Sequence, residues 1–276
     1  MTIVVKIGGT LLEDASQRLA IAERVAREFR QGRRILLVHG GGKQLSAYLE
    51  KAGITSQFRD GLRVTTPEAI DGVVKVFAGT VNHQLLAAFH QLGVPAVGIS
   101  GIDAGCLVAE KLVGKNGEDW GLVGKITRAN PRVWDVLLAG GMLPVMACIA
   151  VGDDGQIYNV NADQAAVACA ASLGADALIF LTDVDGVRNA KGETLDRLDA
   201  AEIPALIQSG AVMGGMLAKL NAVQEALAQG IRHVHIANGH RSDSLATGIL
   251  ACEDGAAAER LKVSGTFVTS TVTSDK

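Results

Sequence analysis

The chain has 276 residues, of which 48% are hydrophobic, 20% are charged and 4% are aromatic, and its net charge at pH 7 is −3. This length and apolar content favour a folded α/β protein with a sizeable core. The slightly acidic balance argues against nucleic acid or an acidic membrane as the main partner, and the scarcity of aromatic residues argues against base-stacking platforms. The four cysteines form no C-x-x-C pair, and Cys148 and Cys169 lie in apolar runs, where we expect buried reduced thiols. Because neither a targeting peptide nor a membrane span is predicted, we expect a cytoplasmic protein.

The predicted elements alternate between apolar strands and helices. Strand 2–7 precedes helix 15–31, and strand 34–38 precedes a helix that begins after a glycine loop at 40–42. The alternation continues as helix 67–92, strand 96–99, helix 131–139, strand 143–147, helix 162–172, strand 177–181, helix 215–229, strand 233–237 and a last strand at 265–268. Thr66 is the predicted N-cap of the helix that Pro67 opens. This order predicts a parallel sheet covered on both faces.

Three segments depart from this alternation. The glycine-rich and charged segment 106–125 predicts surface hairpins outside the core. An Asp-Asp-Gly turn at 153–155 predicts a hairpin between 147–151 and 156–160. Towards the end, 255–259 is alanine-rich and predicts local helix or loop, and 269–276 is polar and predicts a frayed terminus.

Lys6 stands near the end of the first apolar strand and is followed by Gly8 and Gly9. A buried ammonium group needs an anion, because an unpaired buried charge is costly; a lysine that reaches solvent is the alternative. Glycines at a strand end leave backbone N–H groups free to face an anion, with no Cβ in the way.

The second strand ends at His39 and the glycine triplet at 40–42. One glycine would serve a tight turn, so three in a row indicate close approach of a ligand. Their spacing fits neither a P-loop nor a dinucleotide-binding turn. For His39 a satisfied structural role is favoured over a catalytic one.

The run N-V-N-A-D at 159–163 leads from a strand into a helix. Period-two alternation places its two asparagines on one face, where both can point into one cleft. Asp163 either caps the helix or holds two lysines in position. The second lysine would be Lys219, which ends the run G-G-M-L-A-K at 214–219.

Three further groups are candidates for ligand contacts. Arg63 follows a turn and can clamp a carboxylate through two hydrogen bonds, although a solvated arginine is the alternative. The run T-D-V-D-G at 182–186 ends a buried strand, where open α/β sheets hold ligands, and it is too short for a calcium loop. His233 and His235 alternate along a strand without an evident third ligand, which disfavours a metal site.

Two lysines, one carboxylate and several glycine amides suit phosphoryl transfer, whose catalysis rests on positioning and charge stabilisation. The sequence therefore indicates a kinase. Its motifs together resemble the amino acid kinase family, most closely the N-acetyl-L-glutamate kinases of arginine biosynthesis. The resemblance covers essentially the whole chain, through K-x-G-G at 6–9, H-G-G-G at 39–42, D-G-L-R-V-T at 60–65, N-V-N-A-D-Q at 159–164, T-D-V-x-G at 182–186 and G-G-M-x-x-K at 214–219.

The resemblance implies an α/β fold in which an open, mainly parallel eight-stranded sheet lies between helices. It implies a single domain, 1–276, with an acyl-substrate half at about 1–175 and a nucleotide half at about 176–276. The implied donor is ATP, with Mg²⁺ carried by the ATP rather than by protein ligands. The implied acceptor is the γ-carboxylate of N-acetyl-L-glutamate, and this nucleophile needs no general base.

The resemblance also implies residue roles. Lys6 would stabilise the transferring phosphoryl group, Lys219 would neutralise the leaving ADP, and Asp163 would orient both. Backbone amides would face the phosphoryl group at Gly8, Gly9 and Gly41. The implied acetylglutamate-binding residues are Gly41, Gly42, Arg63 and Asn159. The implied nucleotide-contacting residues are Asp183, Val184, Asp185, Gly186, Val187, Arg188, Gly214, Gly215, Met216 and Lys219.

Two positions depart from the family pattern, since Met213 replaces a common polar residue and Lys43 adds a charge after the glycine triplet. Arginine-inhibited relatives carry an extra N-terminal helix that builds a hexamer, so for this chain we expect a homodimer without arginine feedback. A regulator of the PII type is neither indicated nor excluded. Two alternatives stay open: a kinase for carrier-protein-linked aminoadipate in lysine biosynthesis, and a catalytically silent nucleotide-binding regulator of the same fold.

Overall fold

The computed structural model describes residues 1–59, 62–114, 117–253 and 265–269. The predictions for 255–259 and 270–276, and the first two residues of D-G-L-R-V-T, lie outside these residues. The main sheet runs from edge to edge as β12 (Arg197–Asp199), β14 (Thr266–Thr269), β13 (His233–Asn238), β11 (Ala177–Thr182), β1 (Thr2–Ile7), β2 (Arg34–His39), β8 (Leu143–Ala147) and β5 (Ala96–Ser100). All neighbours are parallel except β13 and β14, which are antiparallel. The predicted open, mainly parallel eight-stranded sheet is confirmed.

Strand order separates the two ends of the chain. Strands β1, β2, β8 and β5 come from the first 175 residues and form one side of the sheet, whereas β11, β13, β14 and β12 form the other. Strand β1 lies between β2 and β11, and Lys6 pairs in register with Val38 on one side and Phe180 on the other. A ligand at the carboxyl end of β1 therefore meets both sides of the sheet.

Helices cover both faces of this sheet. They are α1 (Ala15–Arg30), α2 (Gly42–Lys51), α3 (Pro67–Val73), α4 (Asn82–Gln91), α5 (Arg132–Ala139), α6 (Ala162–Leu173), α7 (Ile203–Gln208), α8 (Gly214–Ala228) and α9 (Ser244–Glu253). The Thr66 hydroxyl accepts a hydrogen bond from Ala69 N–H and Pro67 occupies the first turn, as predicted. Helices α7 and α9 were not predicted from the sequence. Within the described ranges, no helix combines the length and apolarity needed to cross a membrane.

The helix predicted at 67–92 is continuous, but its middle part is not α-helical. Between α3 and α4, residues Val74–Val81 form a π-helical segment. The backbone N–H of Asn82 donates to the Phe77 carbonyl, five residues earlier. Such segments place residues five apart on the same side of the helix, and they are frequent at functional sites.

A small four-stranded barrel lies beside the sheet and is formed by β6 (Leu107–Val113), β7 (Asp119–Ala129), β9 (Ile149–Val151) and β10 (Ile157–Val160). A separate two-stranded antiparallel sheet pairs β3 (Gln57–Arg59) with β4 (Leu62–Val64). The predicted turn at 153–155 is confirmed, since β9 and β10 pair in antiparallel fashion. The expectation that 106–125 lies wholly outside the core was wrong, because Leu107 and Ala109 are buried in the main hydrophobic cluster while the charged residues of β6 face outward.

All four cysteines are free thiols, and Cys148 and Cys169 are buried, as expected. Burial raises the pKa of Cys148 to about 12, so its thiol stays protonated and poorly nucleophilic at neutral pH.

His39 is a buried structural histidine, as the sequence indicated. It is fully buried; its Nδ1 lies 2.8 Å from the Gly40 carbonyl oxygen and its Nε2 lies 3.0 Å from Asn82 Nδ2. Since the Asn82 amide donates to Nε2, Nδ1 carries the proton and donates to Gly40. Burial lowers the pKa of His39 to about 4. The neutral ring therefore fastens the glycine loop to the helix that contains Asn82.

Protonating His39 should destabilise the fold below neutral pH. In the unfolded chain the histidine binds a proton near its ordinary pKa of 6.5, whereas in the folded protein its pKa is about 4. The free energy of unfolding therefore decreases as the pH is lowered from 6.5 towards 4. We expect His39 to contribute a loss of about 2 kcal/mol between pH 7 and pH 5. Urea unfolding of the wild type and of His39→Gln at both pH values measures it: the stability difference between the two proteins should shrink by that amount. An unchanged difference would contradict the assignment.

Candidate active site

Three charged side chains from distant parts of the chain meet at the carboxyl end of β1. Lys6 Nζ lies 2.8 Å from Asp163 Oδ1, and Lys219 Nζ lies 3.0 Å from Asp163 Oδ2. All three side chains are at least 88% buried. The prediction that one carboxylate joins these two lysines is therefore confirmed as geometry, and Lys6 does not reach out to solvent.

Helix α6 delivers the carboxylate. Its N-cap is Asn161, whose Oδ1 accepts hydrogen bonds from the backbone N–H groups of Asp163 and Gln164. The interpretation of Asp163 as the helix cap was wrong, because Asn161 already fills that role. Asp163 sits in the first helical turn, where the helix dipole favours a negative charge, and its side chain is free to join the lysines.

The electrostatics of this group depend on the excess of positive charge. Burial opposes ionisation of Asp163, but the ammonium groups of Lys6 and Lys219 outweigh it and hold the pKa of this carboxyl well below its usual range. Burial and the nearby Lys6 charge lower the pKa of Lys219 to about 8, against the pull of Asp163. Two cations share one anion, so the site retains affinity for a further negative group such as a phosphoryl oxygen.

The two glycine loops face each other beside this cluster. A Cβ built at Gly9 would lie 3.4 Å from the Gly42 backbone nitrogen. The Gly8 N–H donates to the Leu181 carbonyl at 2.8 Å. The expectation that Gly8 offers its amide to a phosphoryl group is thus contradicted in this structure, because that amide extends the β1–β11 ladder.

A cavity of about 180 Å³ opens next to the glycine triplet. Its polar lining comes from the triplet backbone and from Arg63, Asn159 and Asn161. The remaining lining residues are Leu45, Phe58, Leu62, Phe77, Val123, Cys148, Val160 and Ala162. The predicted acyl-substrate residues therefore lie around one small cavity. Lys43 does not contribute charge to it, since its Nζ pairs with Glu13 at 2.6 Å on the surface.

Arg63 is 7% exposed and fixed from three sides. One terminal nitrogen bonds the Ser56 hydroxyl, and the other donates to the Gly42 carbonyl at 3.0 Å and to the Ser46 hydroxyl at 2.6 Å. Among the described residues, no carboxylate lies within ion-pair distance of it. A buried, oriented guanidinium with no anion of its own is a site for a ligand carboxylate. Sequence reasoning found Arg63 but not the two serines, which no local pattern connects to it.

Asn159 is held rather than loose. Its Nδ2 donates to the Thr65 hydroxyl at 2.9 Å, which joins β10 to the end of the D-G-L-R-V-T motif. The two predicted asparagines both line the cavity, so the expectation that they share one cleft is confirmed.

The predicted nucleotide-side segments lie at the end of β11 and the start of α8. Asp183 immediately follows β11, and its charge opposes the lowering of the Lys219 pKa, so it lies near that ammonium group. Gly214 adopts a φ of +55° at the start of α8, a conformation that glycine tolerates best. Met213, just before it, is 77% exposed. Lys219 on α8 connects this side to Asp163.

Two residues of the nucleotide-side run have structural explanations. Gly186 has a φ of +150°, and a Cβ there would lie 2.6 Å from the Thr266 hydroxyl. The neighbouring Val187 is buried, and its N–H donates to the same hydroxyl at 2.8 Å. Both residues thus anchor the turn against β14. Asp183, Val184, Asp185 and Arg188 remain exposed.

Comparison with known proteins decides the family. Residues 1–238 match the model of the amino acid kinase family. The chain belongs to the amino acid kinase family. An acetylglutamate kinase of Solibacter usitatus is 48% identical over 92% of this chain and 97% of its own length. One of Acidobacterium capsulatum is 44% identical over 86% and 90%, respectively.

Solved structures agree with this membership. The protein smu.665 of Streptococcus mutans superposes with a TM-score of 0.80 at 26% identity, over 97% of this chain and 98% of that one. An N-acetylglutamate synthase of Neisseria gonorrhoeae, solved with coenzyme A and N-acetyl-glutamate, has a TM-score of 0.81 at 26% identity, over 97% of this chain and 59% of its own. The resemblance stated from the sequence motifs is confirmed.

Removing the charge of Asp163 should leave two buried ammonium groups without a counter-ion. We expect Asp163→Asn to lower the free energy of unfolding at pH 7 by about 3–5 kcal/mol. The loss should shrink above about pH 8, where Lys219 can lose its proton. Urea unfolding at pH 7 and pH 9.5 measures this.

The matched control is Asp176→Asn. Asp176 lies just before β11, at the end of that strand away from the lysine cluster, and its exposed carboxylate accepts a hydrogen bond from Thr2 N–H. This variant should change stability by less than about 1 kcal/mol, as exposed charges usually do. Equal losses for the two variants would contradict a special role for the buried carboxylate.

Proposed function

We propose that this protein transfers the γ-phosphoryl group of ATP to the side-chain carboxylate of N-acetyl-L-glutamate, the second step of arginine biosynthesis. The observation that carries the proposal is the buried Lys6–Asp163–Lys219 cluster beside a small cavity lined by Arg63, whose guanidinium has no carboxylate partner among the described residues. The acetylglutamate kinases among its relatives share most of the chain's length.

The cavity suits an acylated amino dicarboxylic acid. Arg63 would bind the α-carboxylate through two parallel hydrogen bonds, the geometry in which arginine recognises carboxylates best. Asn159 and the backbone of Gly41 and Gly42 would hold the amide of the acyl group. The second carboxylate of the acceptor would then face the glycine loop and Lys6, on the Asp163 side of the cavity.

The reaction needs positioning and charge stabilisation more than proton transfer. The acceptor carboxylate is already ionised at neutral pH and attacks the γ-phosphorus, so no general base is required. Lys6 would stabilise the equatorial oxygens of the phosphoryl group as it moves, and Lys219 would offset the charge that develops on ADP. Asp163 keeps both ammonium groups aimed at the same point. Amides of Gly9 and Gly41 are the proposed additional donors.

The remaining parts of the proposal concern the donor and the setting. ATP would lie on the nucleotide half, about 176–276, against Asp183, Val184, Asp185, Arg188 and the start of α8. Chemically, Mg²⁺ would neutralise the ATP phosphates. Among the described residues, no group of three or more acidic, histidine or cysteine side chains is placed to hold a metal. A cytoplasmic location and a homodimer stay predictions.

Hydroxylamine trapping tests the function directly, because hydroxylamine converts an acyl phosphate to a stable hydroxamate. The purified protein is incubated with Mg-ATP and one acceptor at a time: N-acetylglutamate, glutamate, N-acetylaminoadipate or none. Hydroxamate should form with N-acetylglutamate and should vanish in Lys6→Ala. No hydroxamate with any free acceptor would contradict the proposal and favour a carrier-linked substrate or a silent regulator.

Replacing the Arg63 guanidinium by an ammonium group should weaken binding of the acceptor more than it slows turnover. We expect Arg63→Lys to raise the KM for N-acetylglutamate about 10- to 100-fold, because a charge-assisted hydrogen bond contributes about 1.5–3 kcal/mol. The kcat should change far less, since the α-carboxylate is remote from the transferring group. Steady-state kinetics measure both values.

Arg128→Lys is the control, because Arg128 pairs with Asp153 on the surface. It should leave both constants unchanged. A loss of kcat in Arg63→Lys at an unchanged KM would place Arg63 in a different role.

A further inference from the structure

The π-helical segment Val74–Val81 lies behind the glycine loop of the cavity and touches it at several points. Phe77, near its middle, lines the cavity and is 5% exposed. A Cβ built at Gly41 would lie 2.9 Å from the Phe77 ring and 3.1 Å from a methyl group of Val81. Gly41 therefore lacks a side chain because this ring occupies the space. The close approach that the sequence attributed to a ligand is at least partly the approach of Phe77.

A second contact fixes the end of the segment. Asn82 follows it directly, donates to His39 Nε2 and donates to the Val145 carbonyl at 2.9 Å. On its far side, a Cβ at Gly98 would lie 1.9 Å from Asn82 Oδ1, so β5 presses closely on this amide. Asn82 is 2% exposed and has little room to shift.

The π-helical hydrogen bonding is what allows both contacts. In a continuous α-helix, residues five apart are rotated by about 140° relative to each other, so Phe77 and Asn82 would face different neighbours. The bond from Asn82 N–H to the Phe77 carbonyl places them on the same side instead. Phe77 reaches Gly41, and Asn82 reaches His39, two residues before Gly41. The ring is thus held against the loop from two directions.

The position of Phe77 relative to the two ends of the cavity indicates what it contacts. Arg63 is bonded to Gly42, at one end of the triplet. Cys148 and Ala162 lie near Gly40, at the other end, and Cys148 is close enough to Lys6 for that charge to affect its pKa. The Phe77 ring meets the middle glycine. The acyl group of the acceptor branches from the α-carbon, next to the carboxylate that Arg63 would bind, and its amide would be held at Gly41 and Gly42. The acceptor would therefore present its acyl group to the ring that meets Gly41.

We propose that Phe77 is a specificity-determining residue whose ring, held in place by the π-helical segment, limits the bulk of the N-acyl group. This inference rests on the proposed function and extends it by naming the N-acyl group as the part of the acceptor that Phe77 contacts. A ring packed this closely against the glycine loop would exclude groups larger than acetyl by steric overlap. One methylene in a tight apolar pocket changes kcat/KM by about 10- to 200-fold.

Acyl-chain selectivity tests the inference. The kcat/KM values of the wild type, Phe77→Leu and Phe77→Ala are measured with N-acetylglutamate and N-butyrylglutamate. The wild type should favour the acetyl compound at least about 10-fold. Both variants should reduce this preference about 10-fold or more, Phe77→Ala the most. Phe77→Leu serves where Phe77→Ala does not fold, because leucine retains most of the apolar contact.

Phe89→Leu is the matched control. Phe89 lies on α4, one helical segment further along, is fully buried and does not line the cavity. It should lower stability without changing the acyl preference. A wild type that uses both compounds equally, or Phe77 variants whose preference is unchanged, would overturn the inference. A wild type inactive on N-acetylglutamate would instead contradict the proposed function itself.

Discussion

Asp163 holds two buried lysines that come from the two halves of the chain, and the properties of the site depend on that contact. Lys6 belongs to β1 and Lys219 to α8, and the two oxygens of one carboxylate fix their Nζ atoms. Burying three charged groups is unfavourable unless they satisfy one another. Because two cations surround one anion, the charges stabilise one another and the cluster still carries a net positive charge. This imbalance is what makes it suited to a phosphoryl group.

The sheet order explains how one contact can serve two substrates. Strand β1 lies at the boundary between strands from the first 175 residues and strands from the rest. The cavity with Arg63 opens on the first side, and Asp183 and the start of α8 lie on the second. A group passing from nucleotide to acceptor would cross this boundary at the carboxyl end of β1, where Lys6 and Asp163 meet. This placement agrees with the rule that open α/β sheets bind ligands where the strand order changes direction.

The sequence predicted those structural features that depend on neighbouring residues. Apolar runs gave the central strands, and the Thr66 cap gave the start of a helix, because both depend on neighbouring residues alone. Contacts between distant segments were harder. Asn161 takes the capping role that was open to Asp163, and only the three-dimensional position of the lysines decides between them. The serines that hold Arg63, and the π-helical register that brings Phe77 to the glycine loop, have no periodic signature. The Gly8 amide was misassigned because its partner strand begins about 170 residues later.

The most direct test of the proposed site is a crystal structure with N-acetylglutamate and a non-hydrolysable ATP analogue bound together. We expect the α-carboxylate of the acceptor on Arg63 and its side-chain carboxylate beside Lys6. The terminal phosphate of the analogue should lie within hydrogen-bond distance of Lys6 and Lys219, with Asp163 still joining them. An acceptor bound away from Arg63, or nucleotide phosphates remote from both lysines, would contradict the assignment of this site.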